Sequence, residues 1–316
     1  MQSIARLASI TLAALKLSIV LMNKLVLFLF LLASIPLSAS ELDDLYMASY
    51  SGKSHLEHFL LPTDKEHQNA QKLFFHTLRG EKTAILAKKW ATLNFHLKEV
   101  QHGKRRFLVL FEADEHRNGR GFYLFNPESK NPLILTSPHR NYDRYTGHIA
   151  YLLFVKGDFL CAAWNTFPRY PNGRIQTSGQ DLAHQNGTYF TALTLVFAKV
   201  LPQGSFVQLH GFSQAKRKTV VAQNADLILS SGNSSHSKYF LQLAGRLKRD
   251  ISENVRIYPE ETKALGGTTN VSGQILAANG HQGFIHVEMS LGLREQLKEG
   301  TEIFSKFLEA FQESKK

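Results

Sequence analysis

Tyr189-Phe190-Thr191-Ala192-Leu193-Thr194-Leu195-Val196-Phe197-Ala198-Lys199-Val200, followed shortly by Ser205-Phe206-Val207-Gln208-Leu209, is the stretch that decides the fold. The first part reads as a helix and the second as a short apolar strand. Working outward, the same alternation repeats. Downstream, residues 227–229 read as a strand, 237–248 as a helix, and 255–258 and 284–287 as further strands. The chain closes at 302–314 with Ile303, Phe304, Phe307, Leu308 and Phe311 on one helical face. Upstream, 159–164 reads as a strand and 145–156 as a helix with Ile149, Leu152 and Leu153 apolar. The runs at 107–111 and 121–125 flank Asn118-Gly119-Arg120-Gly121 and suit a hairpin, and 132–135 is another strand. Residues 64–97 follow a helical pattern through Ala70, Leu73, Phe74, Leu78, Ile85, Leu86, Trp90 and Leu93.

Strands bounded by amphipathic helices imply an α/β architecture: a mixed, mostly parallel sheet flanked by helices on both faces, with a helical N-terminal preamble. The expected division is a targeting segment at 1–40, a helical segment at 41–100 packed on the main domain, and an α/β domain at 101–316.

Composition narrows the function. With 43% hydrophobic and 20% charged residues in 316, the chain is too apolar to be disordered. A single cysteine, Cys161, excludes a disulfide framework and any Cys-based metal cluster, whereas 14 histidines make imidazole the expected ligand for a metal. The formal charge is +11, and +8 remains once Arg6, Lys16 and Lys24 of the first forty residues are set aside. These cations are dispersed and not interleaved with aromatics in one stripe, which argues against a nucleic-acid partner. Lys24, the apolar run Leu25–Leu32, Pro36 and Ser38-Ala39-Ser40 have the order of a signal peptide, with cleavage before Glu41 and an alternative start at Met22. The run is short for a membrane span, so the expectation is a periplasmic or secreted protein with no stable membrane anchor after cleavage. An uncleaved anchor is the competing reading. In an oxidising compartment the lone Cys161, inside an apolar run, reads as a buried thiol.

In open α/β sheets, sites gather beyond the carboxyl ends of strands. Three such places carry polar groups of one kind. After 132–135 come His139 and Asp143, four residues apart, an offset that lets imidazole and carboxylate share one face of a turn. His210 ends the 205–209 strand, and Glu288 stands near the end of the 284–287 run. Singly, each reads equally well as a surface histidine or a structural carboxylate. Together they supply three ligands and one free carboxylate, the requirement of a catalytic zinc site.

On these residues the chain resembles the zinc metallocarboxypeptidases and their amidohydrolase relatives, including N-formylglutamate amidohydrolase-like and poly-γ-glutamate hydrolase-like enzymes. The resemblance spans roughly residues 105–295 and departs from the family pattern in its first pair, His-x-x-x-Asp in place of His-x-x-Glu. It implies Zn2+ held by His139, Asp143 and His210, with Glu288 as the general base for an attacking water. It also implies an arginine that holds a terminal carboxylate and polarises the scissile carbonyl. Arg144, Arg169 and Arg294 are available, and Arg144 is nearest the presumed ligands. His184 and Asn270 are candidate substrate-binding residues; His184 precedes the 189–200 helix. Asn270 ends the glycine-rich stretch Leu265-Gly266-Gly267-Thr268-Thr269, which reads as a substrate loop or a plain connection. The expected activity is an exported zinc-dependent hydrolase of an amide or peptide bond, of a cell-wall or γ-glutamyl type. The competing reading is a non-catalytic periplasmic module that binds an anionic polymer.

Overall fold

The computed structural model describes residues 40–50, 59–114, 117–140, 142–167, 169 and 181–312. The targeting reading of 1–40, with its start at Met22, lies outside the described residues except for Ser40. The described residues from Glu41 onward form one compact unit. No helix among the described residues is long and apolar enough to cross a membrane.

Nine strands form one sheet: β1 Phe95–His102, β2 Arg105–Glu112, β3 Phe122–Phe125, β4 Leu133–Ser137, β5 Cys161–Trp164, β6 Ser205–Gly211, β7 Leu227–Ser230, β8 Val255–Ile257 and β9 Phe284–Met289. Their spatial order is β1-β2-β3-β5-β4-β6-β9-β7-β8. The middle, β5-β4-β6-β9, is parallel throughout. β1, β2, β3 and β5 pair antiparallel in succession, and β7 runs antiparallel to β9 and parallel to β8. The sheet is therefore mixed with a parallel centre, and the expected hairpin of β2 and β3 is present.

One segment differs from its sequence reading. The helical pattern through residue 97 ends early, because the chain turns at Asn94 (φ 62°) and runs on as β1. Leu93 and Leu97 are four apart and mimic a helix, but from Phe95 on, buried Phe95 and Leu97 alternate with exposed His96 and Lys98, the spacing of a strand. The boundary at residue 100 consequently falls inside β1, a member of the sheet.

Ten helices are described: α1 Glu41–Ala48, α2 Asp64–Leu78, α3 Thr83–Ala91, α4 Thr146–Lys156, α5 Tyr189–Val200, α6 Val220–Gln223, α7 Lys238–Asp250, α8 Val271–Ala278, α9 Leu291–Leu297 and α10 Glu302–Gln312. Strand alternation splits the interior into two cores. Leu133, Leu135, Val207, Leu209, Ile285 and Val287 pack under α1, α4, α7, α9 and α10. Ile134, Cys161, Ala163, Phe206 and Phe284 face α2, α3, α5 and α8. Each large apolar side chain removed from water in these layers contributes about 1.5–3 kcal/mol. Cys161 is fully buried, and burial pushes its thiol pKa up, as suits a packing residue.

The same alternation positions the functional groups. On β6, Gln208 and His210 share the Phe206 side; on β9, His286 and Glu288 share the Phe284 side. Parallel register places Gln208 opposite His286 and His210 opposite Glu288. Four polar side chains thus stand in two rows at the carboxyl edge of the sheet.

Candidate metal centre

The turn after β4 supplies the remaining groups. The main-chain oxygen of His139 accepts hydrogen bonds from the amides of Tyr142 and Asp143, both at 2.8 Å. This single turn brings side chains four residues apart onto one face. His139, Asp143, His210 and Glu288 are all buried, at the floor of an open cleft of about 850 Å³.

Three atoms meet there. His139 Nδ1 and His210 Nδ1 are 3.1 Å apart, and Asp143 Oδ2 lies 3.4 Å from the first and 3.5 Å from the second. Asp143 Oδ2 also accepts the Gly211 amide at 3.0 Å, which fixes the carboxylate against β6. For ligands about 2.0–2.1 Å from a tetrahedral zinc ion, the ligand-to-ligand edge is about 3.4 Å. The triangle has that size.

Hydrogen bonding on the far side of each ring decides what the triangle offers. Asn270 caps α8: its Oδ1 accepts from the Ser272 and Gly273 amides at 3.0 and 3.3 Å, so its Nδ2 must be the atom turned to Gln208. That Nδ2 donates to Gln208 Oε1. The same Oε1 lies 2.8 Å from His210 Nε2 and can only accept, so Nε2 carries the proton and Nδ1 presents a lone pair. On the other ring, Asp181 Oδ1 accepts from His139 Nε2 at 2.6 Å. Asp181 is itself held by Arg169 Nη2 at 2.6 Å and by the Ala183 amide at 3.2 Å. Two imidazole nitrogens and a carboxylate oxygen therefore face one point, where a proton on His139 or a metal ion would sit among them; Arg169 Nη1 also approaches His139 Nδ1, at 3.5 Å.

The titration shifts follow from this geometry. Burial opposes ionisation of Asp143, but its close contacts with His139 and His210 prevail and hold it well below the usual carboxylate range. Burial likewise works against Asp181, yet His139 and Arg169 draw it down to about 2. Against its own desolvation, His139 is raised by Asp143 and Asp181. His210 is lowered to about 4 by burial, with the charge of His139 adding to it. Glu288 is pushed up to about 8, by burial first and the negative charge of Asp143 second. His286 Nε2 is 3.9 Å from Glu288 Oε1, and its ring lies 4.6 Å from that of His210. Glu288 Oε2 is buried, with no hydrogen-bond partner among the described residues.

Other candidate residues take different places. His184 is exposed at the cleft rim, its Nδ1 3.1 Å from Thr269 O. Asn270 is buried, with its polar atoms engaged by α8 and Gln208. Arg144 is solvated at the rim, its guanidinium 4.7 Å above the Tyr145 ring. Lys216 and Arg217 also line the cleft, giving it a basic mouth. Gln208 and His286 escaped the sequence reading; each stands two residues before a candidate site residue in the same strand, and that period-two offset was the available signal. Asp181, which also accepts the Ala183 amide, supports His139.

No protein-family model matches the chain. No curated protein matches it either. Among solved structures it is similar to a bacteriophage poly-γ-glutamate hydrolase, at 14% identity and a TM-score of 0.39 over 58% of this chain and 84% of that one. It is similar to N-formylglutamate amidohydrolase from Ralstonia eutropha JMP134, at 14% identity and a TM-score of 0.36 over 60% of this chain and 93% of that one. A further similarity is to zinc-free YNDL, at 16% identity and a TM-score of 0.36 over 58% and 83% of the two chains. The named enzymes belong to the group that the sequence resembles. Likenesses this distant leave the reading of the centre to its own geometry.

Proposed function

We propose that the chain is a metal-dependent hydrolase of an amide or peptide bond, with zinc as the ion. The observation that carries this reading is the triangle of His139 Nδ1, His210 Nδ1 and Asp143 Oδ2, with edges of 3.1–3.5 Å and both rings fixed in the tautomer that points lone pairs inward. Three protein ligands leave the fourth tetrahedral position to water or substrate. When bound, zinc supplies Lewis acidity, lowering the pKa of a water and polarising a carbonyl oxygen.

The chain's own residues do the rest. Glu288, directly across from His210 in the sheet, takes the proton of the attacking water at its carboxylate and returns it to the departing nitrogen. Burial and Asp143 hold Glu288 near a pKa of about 8, and a cation at the adjacent triangle opposes both effects, favouring the ionised base. Arg144, Lys216 and Arg217 at the mouth favour a substrate bearing carboxylates, such as a γ-glutamyl or C-terminal peptide. We propose further that the protein acts in the periplasm or outside the cell, a reading supported by the signal-peptide order of charge, apolar run and small residues in 1–40.

The test is a pair of measurements on Glu288→Gln. Zinc should bind at one equivalent, as in the wild type, while release of amine from N-acyl-glutamate and γ-glutamyl peptides drops by about 10²–10⁴-fold. Wild-type protein that binds an anionic polymer but takes up no zinc would favour the non-catalytic module.

A further inference from the structure

Arg294 is buried at the middle of α9, and no carboxylate ion-pairs with it among the described residues. Its donors go to main-chain carbonyls. Nε donates to Met289 O at 3.1 Å and Ser290 O at 3.2 Å, Nη2 to Phe212 O at 3.2 Å, and Nη1 to Arg144 O. These carbonyls belong to the three segments that carry the centre: Met289 follows Glu288, Phe212 lies two beyond His210, and Arg144 follows Asp143. The fixed fork of a guanidinium suits such a task, since it spends several donors in one plane with no internal freedom. Gly211 makes room for it. A Cβ at that position would stand 2.5 Å from Arg294 Cζ and 2.7 Å from Nε.

We infer that Arg294 is a positioning residue that clamps the Asp143, His210 and Glu288 segments in one register, its guanidinium seated against the bare face of Gly211. Its donors go to main-chain oxygens and not to the three atoms of the triangle. It sets where Asp143 Oδ2 sits, and the Gly211 amide bonded to that oxygen reports the setting. The consequence for metal binding rests on the hydrolase reading, whereas the clamp itself does not.

Arg294→Lys keeps the charge but not the fork. Amide hydrogen exchange of the full chain, metal-free, should speed up at Gly211 by about tenfold or more, and zinc affinity, measured by competition with a chromophoric chelator, should fall by about 10–100-fold. Arg246→Lys is the control: this buried arginine also donates to a main-chain carbonyl, Ala310 O at 2.8 Å, away from the cleft, and its substitution should leave both readouts at wild-type values. Should Arg294→Lys fail to fold, Gly211→Ala takes its place, displacing the guanidinium while retaining it, with the same expected exchange. Wild-type exchange at Gly211 in a folded variant overturns the clamp. Wild-type protein that binds no zinc sinks the hydrolase reading instead and leaves the exchange comparison valid.

Discussion

Replacing Asn270 by aspartate isolates the control of the His210 tautomer. Asp and Asn cap helices about equally well, so α8 keeps its N-terminal bonds. The donor to Gln208 is lost, however, and the new carboxylate faces Gln208 Oε1. The Gln208 amide then reverses, its NH2 turns toward His210 Nε2, and the imidazole proton moves to Nδ1, into one corner of the triangle. Keeping the original tautomer instead leaves His210 Nε2–H and the reversed amide as two donors facing across 2.8 Å. A buried polar group left unsatisfied costs about 1–3 kcal/mol, equivalent to roughly 5- to 150-fold in zinc affinity. Calorimetric titration of the metal-free protein with zinc chloride measures it, and the 15N shifts of the His210 ring identify the tautomer. An added negative charge acting by simple attraction would tighten zinc. Unchanged or tighter binding by Asn270→Asp would therefore refute the relay from Asn270 through Gln208 to His210.

Other outcomes follow from the same structure. A carboxyl whose pKa rises on folding contributes stability that is full below its unfolded value and lost as pH climbs, here from about 4.5 through about 8 for Glu288. The melting temperature of metal-free wild type, relative to Glu288→Gln, should accordingly fall across that window; parallel profiles would contradict the burial of this carboxyl. Phe197 is fully buried against Phe206 and His281, at 5.4 and 4.9 Å between ring centres, so Phe197→Ala should cost about 3–5 kcal/mol in denaturant unfolding. Lys216→Glu with Arg217→Glu should raise KM for a carboxylate-bearing substrate, chiefly at low ionic strength, with kcat little changed. Equal KM values at low and high salt would remove the electrostatic role of the cleft mouth.

Much of the fold was legible because helices and strands alternate with distinct periods. The helix at 189–200 and the strands at 205–209 and 284–287 stand where their apolar runs place them, extended by two residues at the polar strand ends that hold His210 and Glu288. Order in the sheet was not legible: nothing local to β9 says that it inserts between β6 and β7, because that placement is set by packing on both faces. β1 was hidden by two leucines whose spacing suits either period. For the centre, the residues that end strands could be named, and the turn from His139 to Asp143 is a local geometry that a four-residue offset encodes. The supporting groups were harder. Gln208 looks like a polar interruption of a strand, and Asn270 like a loop residue, until the start of α8 and the partner across the sheet are both in place. Arg294 is the extreme case, since its partners are main-chain oxygens contributed by segments up to 150 positions away.

The direction of β7 has a bearing on how such a protein can diversify. β6 ends and β7 begins at the same edge of the sheet, with β9 between them, so residues 212–226 hop over one strand and never cross either layer. That bridge carries Lys216, Arg217 and Lys218 and the exposed Val220 and Val221. Insertions or exchanges within it would reshape the cleft mouth while the interior layers and the His139, Asp143 and His210 side chains stay as they are. On the proposed function, the residues assigned to the chemistry and those that meet an incoming substrate would thereby lie on separate stretches of chain, free to vary independently.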